Sequence, residues 1–401
     1  MTQVTGPKER SKHRSGRKAD DVVTLRGTWM RGGTSKCWLF NAVDVGPVVQ
    51  QLGDLDGLLA SAFGSGDVSQ LDGVGGGSST TSKAAVVRRS TDPDIDIDYL
   101  FAQVAIGHRE VEWGSNCGNC ATAIGLYALQ AGLVAVDPVC TTIRMRNQNT
   151  GARLAAQIAT PNGLIPTHGN ASVPGTTALG VPVSLMFCGV APSVAALLPT
   201  GEAVDTVTAG GRSYRGTLVT AGAPAALFPA DQFGLTGAES NDAIAERLPL
   251  LVELRRQSAL AMGLSKPADP VAHAIPKVGV VGMPVDYRTS SGQQIDAGDY
   301  DISVRMVSML APHPAIGLTS AVAIAAAATL ASSVVADIKG ARPAVSRQLR
   351  LGTPAGVVST DITLSDRGLP DTVTLHRAAR RIATAELFIA DPATVLAGSA
   401  S

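Results

Sequence analysis

The amino-acid sequence predicts an α+β protein of two similar lobes with a cleft between them. Two observations lead there. Several strand-like runs followed by one very apolar helix occur once in each half. A chain of 401 residues also exceeds what a single core usually serves. Both helices are too apolar to lie on a surface, so each is expected to be wrapped by the strands of its own half. The first lobe is placed at residues 21–208 and the second at 209–401, with the last strand free to cross back to the first lobe. Residues 1–20 carry Lys8, Arg10, Lys12, Arg14, Arg17 and Lys18 and read as a flexible basic tail.

The elements follow in order. Val22-Val23-Thr24-Leu25 and Cys37-Trp38-Leu39-Phe40 are strand-like runs flanking a glycine turn, Arg31-Gly32-Gly33-Thr34. One helix is expected over Val48 to Ala62. A glycine-rich stretch from Asp72 then leads through Ser79-Thr80-Thr81-Ser82-Lys83 into a strand at Ala84 to Val87. Ile95 to Val104 starts with strict alternation, as a half-buried strand should. Ala121 to Leu133 reads as the first buried helix, with strands at Cys140 to Ile158 and Val183 to Val190 after it. In the second half, Arg215 to Ala221 and Ala225 to Phe228 read as strands. Asp242 to Gly263 is an amphipathic helix that Pro249 should kink or split. Val278 to Val281 and Tyr300 to Met309 are strands, and Thr319 to Val334 is the second buried helix.

Composition narrows the functional classes. Lysine plus arginine equals aspartate plus glutamate, 33 of each, so no global charge steers the chain to nucleic acid or to a membrane. The longest apolar run, Ala321 to Ala331, is too short to cross about 30 Å of bilayer. Five irregularly spaced cysteines make no disulfide framework, which points to a reducing cytoplasmic setting. A homodimer is one arrangement the sequence leaves open.

Two short stretches carry the chemistry. In Asn116-Cys117-Gly118-Asn119 a cysteine opens a buried helix, where free N–H groups and the helix dipole should favour thiolate and lower its pKa. Gly118 would let a carboxylate approach those N–H groups. The alternative is a small buried hydrophobe. Cys120 completes a CxxC spacing, but neither a thioredoxin-like context nor further zinc ligands accompany it. The glycines before Lys83 are no phosphate loop, because no glycine directly precedes the lysine and a strand follows. Lys83 therefore reads either as an exposed lysine or as a base held among hydroxyls such as Ser82, which must shed its proton near neutrality. Arg31, Thr34 and Ser35 offer a cation and hydroxyls for gripping a carboxylate, or form a plain hairpin turn. In the second lobe His313 precedes Thr319 and Ser320 at a helix start; it can orient a carboxylate or be structural. His108, His168, His273 and His376 receive no role.

Met30-Arg31-Gly32-Gly33-Thr34-Ser35-Lys36, Asp72-Gly73 with the glycines through Lys83, Asn116-Cys117-Gly118-Asn119, and Arg305-Met306 with Met309 and His313 resemble the PrpF family in order along the chain. The family includes 2-methylaconitate cis–trans isomerase, methylitaconate delta-isomerase and 4-oxalomesaconate tautomerase. The resemblance implies a diaminopimelate-epimerase-like fold, each lobe a β-barrel-like sheet around its central helix. It also implies that Lys83 and Cys117 are the acid–base pair; the residues read above as polar or backbone contacts, 31, 34, 35, 82, 116, 118, 119, 313, 319 and 320, are then expected around a small polycarboxylate substrate. Departures from the pattern are Cys37, Cys120 and the turn Gly352-Thr353-Pro354-Ala355-Gly356, where a Gly-His-Pro-Ser-Gly-like turn is expected.

The implied reaction shifts a proton, and with it a C=C bond, along an unsaturated di- or tricarboxylate. A C–H beside a double bond or carboxyl is acidified by delocalisation of its anion, so neither a metal nor a redox cofactor is needed. Lys83 as base with Cys117 as acid is the first assignment, and the reverse stays open. A two-thiol epimerase and a non-catalytic accessory to an aconitase-type dehydratase are the competing readings.

Overall fold

A computed structural model describes residues 22–390 except 115, 270–274 and 340–347. The basic tail and His273 lie outside the described residues.

The first lobe runs β1 (Val22–Gly32), β2 (Ser35–Asn41), α1 (Ala42–Leu52), α2 (Leu55–Phe63), β3 (Lys83–Arg89), β4 (Ile97–Val104), β5 (Val111–Glu112), α3 (Gly118–Gln130), β6 (Cys140–Asn147), β7 (Arg153–Ala159) and β8 (Val181–Cys188). After α4 (Val194–Leu197) and β9 (Asp205–Ala209), the second runs β10 (Arg212–Ala221), β11 (Ala223–Pro229), α5 (Asn241–Ala245), α6 (Leu248–Ala261) and β12 (Lys277–Gly282). The short hairpin β13 (Tyr287–Arg288) and β14 (Gln294–Ile295) precedes β15 (Ile302–Ser308), β16 (Ala311–Pro312), α7 (Leu318–Ala327), α8 (Val334–Lys339), β17 (Gln348–Thr353), β18 (Gly356–Leu364) and β19 (Pro370–Ala390).

The pairing repeats. In the first lobe β1–β2 is antiparallel, β2–β3 parallel, β3–β4 antiparallel, β4–β6 parallel, and β6–β7 and β7–β8 antiparallel. The series β10, β11, β12, β15, β17, β18 and β19 follows the same order of senses. Each long parallel crossover, β4 to β6 and β15 to β17, contains the lobe's buried helix. β19 then pairs with β18 and β8 through its first half and with β1 through its second. The circuit β1-β2-β3-β4-β6-β7-β8-β19 therefore closes into a barrel around α3. This is the helix-in-barrel arrangement that the resemblance implies.

Composition explains why α3 and α7 sit inside. Every residue of α7, and α3 from Gly118 to Leu129, is buried. Small side chains let strands come close: a Cβ on Gly125 would lie 2.5 Å from that of Ala156. On the outer face, α1 and α2 cover Val23, Leu25, Trp38 and Phe40 with Leu58, Leu59 and Phe63.

Of three helix expectations, two need correction. The helix placed at 48–62 is two, because Gly53 ends α1 with φ 94° and the Asp54 side chain caps the start of α2 at Gly57. The 242–263 segment splits as expected, and Pro249 sits in the first turn of α6, where its missing N–H costs nothing. The second buried helix ends at Ala327 rather than 334, and Ser333 Oγ then caps α8 by accepting from Ala336 N at 3.0 Å. Among the described residues no helix is long and apolar enough to cross a membrane.

Candidate active site

The topology brings three chain starts to one place: the first residue of β3, the N-terminus of α3 and the N-terminus of α7. They meet at a cavity of about 350 Å³, near the lower end of the roughly 300–1,000 Å³ typical of ligand sites. Lys83, Ser35, Asn116, Cys117, Gly118 and Asn119 line it from the first lobe, and Lys277, Met306, His313, Gly317, Thr319 and Ser320 from the second.

Lys83 is buried. Its ammonium donates to Gln103 Oε1 and lies 5.2 Å from the centre of the Phe101 ring. Gln103 is oriented in turn, because its Nε2 donates to the Ser82 carbonyl at 2.8 Å. The lysine is thus held in one direction by a chain of hydrogen bonds rooted in the barrel wall.

Cys117 is the N-cap of α3, with extended backbone and no side-chain capping bond. Its thiol is pushed well above the usual range, first by a hydrogen bond to the Cys120 thiol and then by burial. The Lys83 charge acts the other way but does not prevail. This corrects the expectation of a lowered pKa: the helix N-terminus favours thiolate, yet a dry environment and a neighbouring thiol favour the protonated form. Cys37 acts on the Cys120 thiol in the same sense, so the two family departures sit together as a thiol pair behind Cys117. At neutral pH Cys117 carries a proton it can give.

On the second lobe, His313 Nδ1 accepts from Ala315 N at 3.0 Å. Burial, then Lys277, then Lys83 depress its pKa to about 4. His313 is therefore neutral at pH 7, and with Nδ1 an acceptor the proton sits on Nε2.

Gly118 proves to have a packing role besides the one anticipated. A Cβ there would stand 2.7 Å from Leu318 Cβ and 3.1 Å from the Phe187 ring, so a glycine is what lets the mouths of α3 and α7 touch. Gly118→Ala should therefore cost about 1–3 kcal/mol of stability by overpacking, measurable as a lower urea midpoint. It should also lower any turnover, since it pries the helix mouths apart.

A family model for PrpF protein matches residues 22–390, spanning both lobes and every group just described. The chain belongs to the PrpF family. A 2-methyl-aconitate isomerase of Cupriavidus necator is 36% identical over 84% of this chain and 89% of its own length. A (4E)-oxalomesaconate Delta-isomerase of Novosphingobium sp. is 31% identical over 90% of this chain and 96% of its own. Among solved structures, methylitaconate-delta-isomerase superposes with a TM-score of 0.79 at 29% identity, covering 92% of this chain and 97% of that one.

Three residues assigned to substrate in this PrpF chain do not line the cavity. Arg31 spends its guanidinium on the carbonyls of Gly33 and Ala178, at 3.0 and 2.9 Å. Thr34 accepts from Asn119 Nδ2 at 3.1 Å and so orients a lining residue from behind. Ser82 is sealed: its hydroxyl donates to Val104 O at 2.9 Å and accepts from Gln70 Nε2 at 2.7 Å. Thr34 and Ser82 each sit in the turn just before a strand, and it is the first strand residues, Ser35 and Lys83, that line the cavity. The 352–356 turn lies off the cavity too, with Thr353 bonded within it to Gly356 O at 2.7 Å.

Other lining residues were not singled out from sequence: Lys277, Gln103, Phe101 and Glu112; His108 had been given no role, and Met309 had entered only within a family motif. For Lys277 a signal existed. Lys277-Val278-Gly279-Val280-Val281 repeats the form of Lys83-Ala84-Ala85-Val86-Val87, a lysine opening an apolar strand at the matching place of each lobe. Among the described residues no group of three or more His, Cys, Asp or Glu is placed to hold a metal ion.

Proposed function

We propose that this chain is an isomerase that moves a proton, and with it a carbon–carbon double bond, in a small unsaturated di- or tricarboxylate. One observation carries the reading: Lys83 and Cys117 line one cavity at the mouths of both central helices, the thiol retaining its proton. Lys83 takes a proton from the carbon beside the double bond. Cys117 returns one to the far end of the delocalised anion, and Lys83 and the thiolate then re-equilibrate their protons. Backbone N–H groups at the starts of α3 and α7 face the charge as it spreads onto the carboxylates. The names of the relatives fit this chemistry, and an acid–base pair held in place is what it requires.

The epimerase reading loses ground on geometry. An epimerase of that kind needs an acid at the start of each central helix. Here the N-cap of α7, matching Cys117, is Gly317, while Ser320 matches Cys120. The deciding experiment is proton NMR of the purified protein in deuterated water with aconitates, methylaconitates, itaconates and oxalomesaconate. At least one compound should both isomerise and take up deuterium; no exchange into any of them would sink the proposal.

A further inference from the structure

The internal repeat makes β12 the counterpart of β3, and each strand opens with a lysine that lines the same cavity. The two lysines are not held alike. Lys83 is tied to Gln103, whereas Lys277 has no hydrogen bond or ion pair among the described residues. Burial, then the charges of Arg255 on α6 and Lys83 on β3, lower its pKa to about 8, with Cys117 acting weakly the other way. Arg255 is itself buried and bonds the Met309 carbonyl at 2.6 Å. His313, also facing Lys277, is neutral at pH 7, and Glu112 is the lone carboxylate among the lining residues. A cation is thus kept half-buried beside other cations without a counter-charge, an arrangement that is costly in a folded protein. The second lobe also has Gly317 where the first has its thiol, so it brings no matching acid.

Resting on the isomerase reading above, we infer that Lys277 is the anchor for one substrate carboxylate. The first lobe performs the proton transfer, and the second holds the substrate through the Lys277 ammonium and the N–H groups opening α7. A carboxylate entering the cavity supplies the charge that Lys277 lacks.

The test uses full-length Lys277→Met and Lys277→Arg, with trans-aconitate as the calorimetric probe and the substrate found by NMR for kinetics. Lys277→Met should weaken trans-aconitate binding about 10- to 100-fold, the range for a lost charge-assisted bond, and raise KM alike while kcat falls far less. Lys277→Arg should recover most of the loss. Wild-type kcat/KM should decline above about pH 8 as Lys277 loses its proton, and Lys277→Arg should move that decline to higher pH. A purely structural lysine would not move it. Free of ligand, Lys277→Met should melt above wild type at pH 7. Wild type folds at the expense of a protonated, desolvated amine below about pH 8, so the gap should close as pH rises from there toward about 10.4, where an unfolded lysine titrates.

Unchanged trans-aconitate affinity in Lys277→Met overturns the anchor, and so does a collapse of kcat at constant KM. Both outcomes leave the isomerase intact. A wild type that binds trans-aconitate through Lys277 but isomerises nothing overturns the parent reading alone.

Discussion

Lys83→Met is expected to lower kcat by about 10²- to 10⁴-fold, the usual contribution of a positioned general base. Methionine keeps much of the lysine stem, so the packing against Phe101 survives. What disappears is the amine and its bond to Gln103. The fold should lose about 1–3 kcal/mol, because Gln103 Oε1 is left without its donor, and unfolding should stay cooperative. Circular dichroism with urea titration checks the fold, and the NMR assay in deuterated water checks the chemistry. With Lys83 as base, deuterium incorporation disappears together with isomerisation. Wild-type turnover in Lys83→Met would end the mechanism.

Much of the fold was legible in the sequence because its two central helices break a general habit. A helix apolar on every side has nowhere to go but inside, and two such helices at matching places imply two wrapped lobes. The closing strand β19 was harder. Its 21 residues alternate between buried and exposed only in part, and from Ala379 on they change partner from β8 to β1. No local pattern records a change of partner. The α1–α2 break was hidden because Gly53 and Asp54 interrupt an otherwise helical run by only two residues.

The site divides in a similar way. Lys83 and Cys117 came from family motifs and were placed correctly at element starts, but the surroundings that set their chemistry were out of reach. Gln103 sits 20 positions from Lys83 in the chain yet opposite it in the β3–β4 ladder. The thiol pair behind Cys117 joins Cys37 on β2 to Cys120 on α3, a contact that only barrel closure makes. Helix-dipole reasoning gave the wrong direction for Cys117 because it counted the near field of the backbone and could not count desolvation.

That reversal supports a second expected result of similar size. Cys117→Ala should also lower kcat by about 10²- to 10⁴-fold, but it should separate the two halves of the reaction. With the thiol held protonated at neutral pH, Cys117 is the donor and Lys83 the base. Removing the donor leaves deprotonation possible, so Cys117→Ala should still exchange substrate hydrogen for deuterium while forming little isomer. Lys83→Met should do neither. Cys117→Ser should lie between wild type and alanine, since a hydroxyl can donate but is a weaker acid than a thiol. The pH dependence of kcat follows from the same cause: a thiol whose pKa stands well above the usual range remains a donor through neutrality, and kcat with substrate bound, unlike kcat/KM, should hold until alkaline pH removes that proton. If exchange vanished in Cys117→Ala and persisted in Lys83→Met, the roles would be reversed. Cys117 would then have to ionise against both its burial and its bond to Cys120, and the asymmetry of the two variants would show it.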